Sequence, residues 1–384
     1  MNGSATRAPI GANTFQVHCM NAFDDRFAEE WDALLEESSA NTIFLTSGWL
    51  RAWHETLGQN EPLLIPHVRV HGRLVAAAAF HWFKGVVQFC GTGPSDYSDF
   101  LISISMSQES HKQLIHLILT KTRKAVPKFR YFKLGRFQPN SQTLQAIAGT
   151  TGPFLATVIG RMDAPMMDMS VVDDRIRKKS LRRHERALQG QGTLQTDTET
   201  RAQSILPQLA EFFDQHVERW KSSGERSPFR GNEFRNFYRR VTERLDATGQ
   251  LRFTTLRLDG ALVASHFGFL HGGHFIWYKP TFDPALAKLS PGEVLIKKLL
   301  EQAKAEGASA FDFTVGNEAF KLRFATDVRR VVYLYVNDSA LASMARRLRV
   351  NLVEGTRRII RSPHWSRLRR FLGQSPQLHR ASPR

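Results

Sequence analysis

The sequence predicts a mixed α/β protein assembled from two units of similar design, and three observations carry that prediction. First, an internal repeat relates the halves: VRVHGRLVA at 68–76 aligns with LRLDGALVA at 256–264, setting Gly72 on Gly260 and Val75 on Val263. Further on, LIHLILTKTRKAVPKFRYFKLG aligns with LIKKLLEQAKAEGASAFDFTVG, setting Gly135 on Gly316. Second, in each copy stretches with apolar residues at helical spacing alternate with strand-length runs rich in β-branched and aromatic residues. Third, 384 residues suffice for two domains with their own cores, and the longest candidate for a membrane span, LVAAAAF at 74–80, falls far short of the roughly 18 apolar residues needed. The only cysteines, Cys19 and Cys90, supply neither a disulfide framework nor a zinc site.

Residues 1–14 read as a disordered leader without the apolar stretch of a signal peptide, which places the protein in the cytoplasm. The first unit, 15–150, opens with amphipathic helices at 23–37 and 47–58. Strands follow at 68–80 and 86–90, with a turn at Gly72, and then a loop, GTGPSDYSDFLI, enters another strand. HKQLIHLILTKTRKA reads as a helix and YFKLGRF as a strand. The second unit, 204–336, repeats this order: helices at 204–220 and 231–245, a strand pair in RFTTLRLDGALVASHFGFL and HFIWYKP, a helix opening near Ser290, and the strand AFDFTV. Between the units, 151–203 is a connecting segment that holds the basic helix RIRKKSLRRHERALQG. Residues 337–384 form a basic tail.

The formal charge of +17 is concentrated in two places. Residues 341–384 hold eleven Arg, no Lys and one acid, Glu354, for a net +10; residues 171–190 hold seven basic residues against three acids, for a net +4. Together they carry 14 of the 17 charges, so an anionic partner is expected for these segments rather than for the fold as a whole. The basic helix is either a solvated linker or a basic wall facing a phosphate-bearing ligand. The tail interleaves Arg with Leu, Val, Ile, Trp and Phe. It reads as an amphipathic helix on an anionic membrane surface or as a disordered basic extension.

The chemistry concentrates in residues 289–324. Ser290 suits an N-cap, Pro291 the first helical position, and Glu293 the return bond of a capping box; with Gly292 between them, this helix start is one that can hold an anion. In the strand AFDFTV, Asp312 and Thr314 share the face opposite Phe311, Phe313 and Val315. A carboxylate there is either bonded to a neighbour or a general base with its pKa raised by burial. His266, on the strand VASHFGF, is a structural residue or a base. Glu318 and Lys321 form a surface ion pair, or Lys321 stands beside a phosphate. Trp220, Lys221 and Arg230, around the SSGERSP loop, together with Asp96, Tyr97 and Glu318, are the expected substrate contacts; hydrogen-bonded loop closure explains Asp96, Tyr97 and Asp99 equally well. The first unit lacks Ser-Pro-Gly at the matching helix start and has Tyr131 where the second has Asp312, so a single active site belongs to the second unit. No G-x-S-x-G, Walker loop, Rossmann fingerprint or zinc spacing is present.

These stretches resemble the GNAT superfamily of N-acyltransferases, specifically the acetyltransferase type associated with cellulose and exopolysaccharide synthesis (the CelD/BcsL type). RIRKKSLRRHERAL, HVERW, LRLDGALVASHFGF, SPGEVLIKKLL and DFTVGNEAFKLRF carry the resemblance, which covers 170–336 well and 23–135 more loosely, as a degenerate copy. The tandem arrangement also resembles the Fem-type aminoacyltransferases, whose G…FK..F element looks like Gly316, Phe320-Lys321 and Phe324. The resemblance implies tandem GNAT-like domains and an acyl-CoA donor, acetyl-CoA foremost, lying on the helix start (Lys288, Leu289, Ser290, Pro291, Gly292, Glu293 and Val294), with no metal. It implies direct attack by an amine, with Asp312 or His266 as base and Lys321 in the site. The pyrophosphate signature Q/R-x-x-G-x-G/A is absent: Ala287 stands at its Q/R place and Ser290 at its first Gly, with Lys288 adjacent. The acceptor expected is a small or lipid-linked amine made for envelope or exopolysaccharide assembly, met at the inner membrane face. The Fem-type alternative is an aminoacyl-tRNA donor serving a peptidoglycan precursor, and a third reading is a non-catalytic, membrane-attached interaction protein.

Overall fold

Two hairpins turn on the residues that the repeat aligns. His71 and Gly72 (φ 49° and 81°) close one, and Asp259 and Gly260 (φ 49° and 85°) close the other. Two successive left-handed residues match the right-handed twist of the flanking strands. The computed structural model describes residues 15–138, 141–148 and 153–361, with Ala148 and 351–361 described by backbone alone. The expected leader 1–14 and the tail beyond 361 lie outside the described residues.

Among the described residues fourteen strands occur in chain order. In the first half they are β1 (Gln16–Met20), β2 (Leu63–Val70), β3 (Arg73–Ala77), β4 (Phe80–Phe83), β5 (Val86–Phe89), β6 (Leu101–Ile102) and β7 (Tyr131–Phe137). Then come β8 (Leu155–Asp168), β9 (Leu194–Glu199), β10 (Leu251–Leu258), β11 (Ala261–His271), β12 (His274–Phe282), β13 (Ala310–Asp312) and β14 (Asp327–Asn337). The helices are α1 (Asp25–Glu36), α2 (Ser47–Glu55), α3 (Gln108–Ala125), α4 (Gln142–Ala148), α5 (Val172–Ile176) and α6 (Lys179–Gln189). They continue with α7 (Ala202–Ile205), α8 (Leu209–Ser222), α9 (Asn232–Leu245), α10 (Pro291–Ala305), α11 (Ala319–Phe324) and α12 (Ala340–Arg361).

All the strands join one mixed sheet in the order β6-β3-β2-β4-β5-β7-β14-β8-β13-β12-β11-β10-β9, with β1 on β2. The halves meet at the long antiparallel pair β8–β14, which runs from Leu155 opposite Asn337 to Met166 opposite Asp327 with one bulge, where Tyr333 faces Gly160 and Leu334 faces Val158. Residues 155–168, expected inside a connecting segment, are therefore a strand at the centre of the sheet. Their run LATVIGRMDAPMMD breaks alternation with Gly, Asp and Pro, which masks the strand signal.

Three apolar cores follow from this arrangement. One belongs to the first half, where Leu114, Ile118 and Leu119 of α3 meet Phe80, Phe89 and Phe132 on the sheet. One belongs to the second half, where Leu295, Leu299 and Leu300 of α10 meet Phe275, Trp277 and Phe311. The third is shared: Trp31, Trp49 and Trp53 pack with Phe212, Phe237 and Tyr238, the Trp49 and Phe237 rings meeting edge to face at 5.0 Å. Buried aromatic pairs of this kind contribute beyond area burial, so the halves form one body rather than two tethered ones. The basic helix α6 buries Leu181 and Leu188 and bonds α10 through Glu185, which pairs with Lys297 (2.8 Å) and Lys298 (2.5 Å). Among the described residues, no helix is long and apolar enough to cross a membrane.

Candidate active site

β12 and β13 run parallel for only three residues, His274–Ile276 against Ala310–Asp312. Beyond them the chain leaves the sheet. Thr314 adopts a left-handed φ of 55° and its hydroxyl donates to the Trp277 carbonyl (3.3 Å); Gly316 follows at φ 137°. Among the described residues no strand pairs with β12 on that side past Ile276, so its backbone edge is left open to bond an extended ligand. The wedge between the diverging chains is a cleft of about 540 Å³.

α10 begins in this cleft. Pro291 occupies the first helical position, where no amide hydrogen is needed. Ser290 is left-handed (φ 56°, ψ 50°) rather than extended, so its hydroxyl does not cap; its carbonyl accepts instead from the Glu293 amide (3.0 Å) and the Val294 amide (3.3 Å). The expected capping box is thus absent. Glu293 pairs with Arg323 (2.5 Å) and stands 3.5 Å from His184 of α6, so its charge is neutralised at the positive end of the helix. Gly292 lines the cleft, and a Cβ on it would meet the Phe282 ring at 3.3 Å.

The wall opposite β12 is the segment from Thr314 to Phe324. There the buried Lys321 donates to the Val315 carbonyl (2.9 Å) and pairs with Glu318 (3.1 Å). α8 closes the top with His216, Arg219 and Trp220. The Trp220 ring stacks on His216 at 5.2 Å, and its buried indole nitrogen has no partner within the described protein. The Arg219 guanidinium lies 5.2 Å from the Phe282 ring centre. Burial, aided by the charges of Arg219 and Lys279, pushes the pKa of His216 down to about 3, so this imidazole is neutral and a weak base. Lys279, its ammonium 4.1 Å from the Tyr278 ring, is held below the usual lysine range by burial.

One lining residue comes from the other half. Asp96 reaches the cleft on the loop 91–99, accepting from Arg136 at 3.1 Å. Further bonds hold that loop in place. The Tyr278 hydroxyl donates to the Pro94 carbonyl (2.6 Å), Trp49 donates to the Ser95 hydroxyl (2.8 Å), and Arg136 donates to the Ser95 carbonyl.

Of the residues singled out in the sequence, Ser290, Pro291, Gly292, Glu293, Glu318, Lys321, Trp220 and Asp96 line the cleft. Lys288 and Leu289 precede it on a short 3₁₀ turn, and Val294 is turned into the core. Lys221, paired with Glu218 at 3.4 Å, and Arg230 are exposed away from it. Asp312 does not reach it either. Its carboxylate accepts from the Tyr97 hydroxyl (2.8 Å) and the Thr314 amide (2.7 Å) in a separate cavity of about 40 Å³ shared with Asn41, His274 and Arg329. Burial raises the Asp312 pKa, with Arg329 and the Thr314 amide opposing. His266 is sealed in the sheet: its Nε2 accepts from the Tyr278 amide (3.1 Å), its ring stacks on Trp277, and burial drives its pKa down to about 3. Room for that ring comes from Gly268, where a Cβ would fall 2.0 Å from His266 Cε1.

Sequence reasoning missed His216, Arg219, Lys279 and Arg323. For His216, Arg219 and Trp220 a signal existed, since the spacing i, i+3, i+4 sets all three on one helix face. Among the described residues no group of three or more His, Cys, Asp or Glu could hold a metal ion.

Residues 175–322 match the family model described as the acetyltransferase (GNAT) domain, so the second half carries a GNAT-type acyltransferase domain. No curated protein matches the chain in sequence. Among solved structures, FemX is similar over 86% of this chain and 100% of its own, at 10% identity and a TM-score of 0.59. The C-terminal domain of a lysylphosphatidylglycerol synthetase from Agrobacterium fabrum is similar over 85% of this chain and 96% of its own, at 12% identity and a TM-score of 0.54. L-PGS from Bacillus licheniformis is similar over the same shares at 13% identity and a TM-score of 0.51. These likenesses establish a shared fold that extends across both halves.

Proposed function

We propose that the cleft binds an acyl-CoA, acetyl-CoA foremost, and that the protein passes its acyl group to an amine of an envelope or exopolysaccharide precursor. The observation that carries this reading is the meeting, in one cleft, of the open edge of β12 with the start of α10. An extended amide-bearing chain finds backbone partners along Trp277–Phe282, and phosphates find the positive end of a fifteen-residue helix, with Glu293 already neutralised by Arg323. The Arg219 guanidinium supplies a further donor. Coenzyme A bound there supplies an acyl group activated as a thioester. A nitrogen–carbon bond to the amine forms as the carbon–sulfur bond breaks, and the thiolate leaves.

All three carboxylates that line the cleft are ion-paired, Glu293 with Arg323, Glu318 with Lys321 and Asp96 with Arg136, and of the three only Asp96 is buried. Asp96, buried and fixed through Arg136, is placed to take the proton of the attacking amine. Lys321, its ammonium held by Val315 and Glu318, sets a positive charge where the carbonyl oxygen becomes anionic. The aromatic walls from Trp220, Tyr278, Phe282 and Phe320 suit the flat faces of a sugar amine.

Calorimetric titration of the full chain with acetyl-CoA tests the donor. Saturable binding that weakens by at least about tenfold in Gly292→Asp, which adds a like charge at the phosphate end and crowds Phe282, is expected. Absence of binding, or equal binding by the variant, overturns the reading. One observation favours a second donor, aminoacyl-tRNA: Arg182, Arg183 and Arg186 are exposed on α6 beside the start of α10. A steeply salt-dependent tRNA affinity with no heat from acetyl-CoA would select it.

A further inference from the structure

α12 packs across β8 and β14, yet its apolar stripe points away from them. Ser343, Arg346 and Val350 face the sheet: Ser343 is buried, the Arg346 guanidinium lies 5.4 Å from the Tyr335 ring centre, and Val350 lines a groove against the strands. Leu341, Met344 and Leu348, at the same helical spacing, face outward and are 81%, 62% and 62% exposed. A helix that merely closes a core turns its large apolar residues inward, and this one does the reverse.

The charge on α12 is equally one-sided in sign. Arg346, Arg347, Arg349, Arg357, Arg358 and Arg361 stand against the single acid Glu354. At 100° per residue Arg349 falls on one flank of the apolar stripe and Arg347 on the other. Beside the helix runs the groove, about 470 Å³, walled by Ala156, Val158, Leu334 and Val350 and bordered by Arg161 and Arg347. An apolar slot between two guanidinium groups matches an acyl chain below its phosphate.

We propose that α12, with this groove, docks the protein on an anionic phospholipid surface. Leu341, Met344 and Leu348 enter the boundary between headgroups and acyl chains, and the flanking arginines pair with lipid phosphates. A nucleic acid would satisfy the arginines and leave the stripe in water. A second copy would cover the stripe but set two strongly cationic helices side by side.

Flotation of the full-length protein with vesicles tests the proposal. The protein is expected to float with mixed phosphatidylcholine–phosphatidylglycerol vesicles and not with phosphatidylcholine alone, and to detach as salt screens the arginines. The triple variant Leu341→Glu, Met344→Glu, Leu348→Glu alters only exposed positions, so its melting temperature should match the wild type while its partition falls at least about tenfold. A chain lacking residues 362–384 should still float. The proposal is overturned by failure of the wild type to float, by equal flotation on neutral vesicles, or by undiminished flotation of the triple variant. It is also overturned if light scattering shows a wild-type dimer that the triple variant loses, or if removing 362–384 abolishes flotation.

Discussion

Tyr97→Phe removes one oxygen atom and tests how the two halves are clasped. The hydroxyl donates to Asp312 at 2.8 Å across the junction, with Tyr97 4% and Asp312 3% exposed. The ring itself stays, so its edge contact with Phe44 at 5.9 Å and its apolar burial are unchanged, and the variant isolates the bond. Hydrogen bonds to charged groups contribute about 1.5–3 kcal/mol, and a water entering the adjoining cavity of about 40 Å³ would offset only part of the loss. The loss is bounded below that of an orphaned charge, because the Thr314 amide at 2.7 Å and the nearby Arg329 remain. Urea unfolding followed by tryptophan fluorescence should therefore show Tyr97→Phe less stable by about 2 kcal/mol, with an unchanged m-value. Asp312→Asn, which keeps an acceptor but loses the charge, should cost somewhat less and couple to Tyr97→Phe in a double-mutant cycle. A loss below about 0.5 kcal/mol for Tyr97→Phe refutes the clasp. So does an Asp312→Asn protein that keeps its stability and thioester affinity but loses turnover, which would make Asp312 the base.

Three further outcomes are expected. Asp96→Asn should lower kcat for thiol release from acetyl-CoA, in the presence of an amine acceptor, by roughly 10²–10⁴-fold with thioester affinity intact; a full rate would remove Asp96 from the chemistry. Asp99, buried against the Phe100 amide (2.8 Å) and Thr143, has its pKa raised by burial to about 7. Because the folded value exceeds the unfolded one, its ionisation weakens the fold as pH rises from about 4 to about 7. Asp99→Asn should therefore remove a stability decline of roughly 2–3 kcal/mol between about pH 5 and about pH 8. Gly268→Ala should destabilise the fold by about 3 kcal/mol, since its Cβ would fall 2.0 Å from His266 and 2.5 Å from the Ile276 carbonyl oxygen; a melting curve equal to wild type would show that the His266 ring can move aside.

The repeat was legible because both copies place the same kind of turn at the same point: His71-Gly72 and Asp259-Gly260 are left-handed pairs in both structure and pattern. The start of α10 was legible through Pro291 and Gly292, although the conformation of Ser290 was not. Proline after it and a glycine beyond it fit either an extended or a left-handed cap, and the left-handed one sends Glu293 outward to Arg323. Asp312 was legible as a buried carboxylate but not as a clasp, since its partner Tyr97 lies 215 residues away in sequence. Lys279 illustrates the same limit: it is an ordinary residue in its own segment and acquires a role only when the two halves meet around the cleft, whereas Asp96, expected as a substrate contact, does line it.

β14 sits between β7 of the first half and β8, although among the described residues it is the last strand to be made. While the chain is being synthesised, β7 must therefore wait with one edge unpaired until residue 337 has emerged, some two hundred residues later. The first half cannot finish its sheet alone, and a chain stopped before Asp327 leaves two long strand edges bare at the centre of the molecule. Closure that depends on so distant a segment implies slow folding with an aggregation-prone interval. It also makes the completed C-terminal strand the checkpoint at which a full-length chain is told from a truncated one.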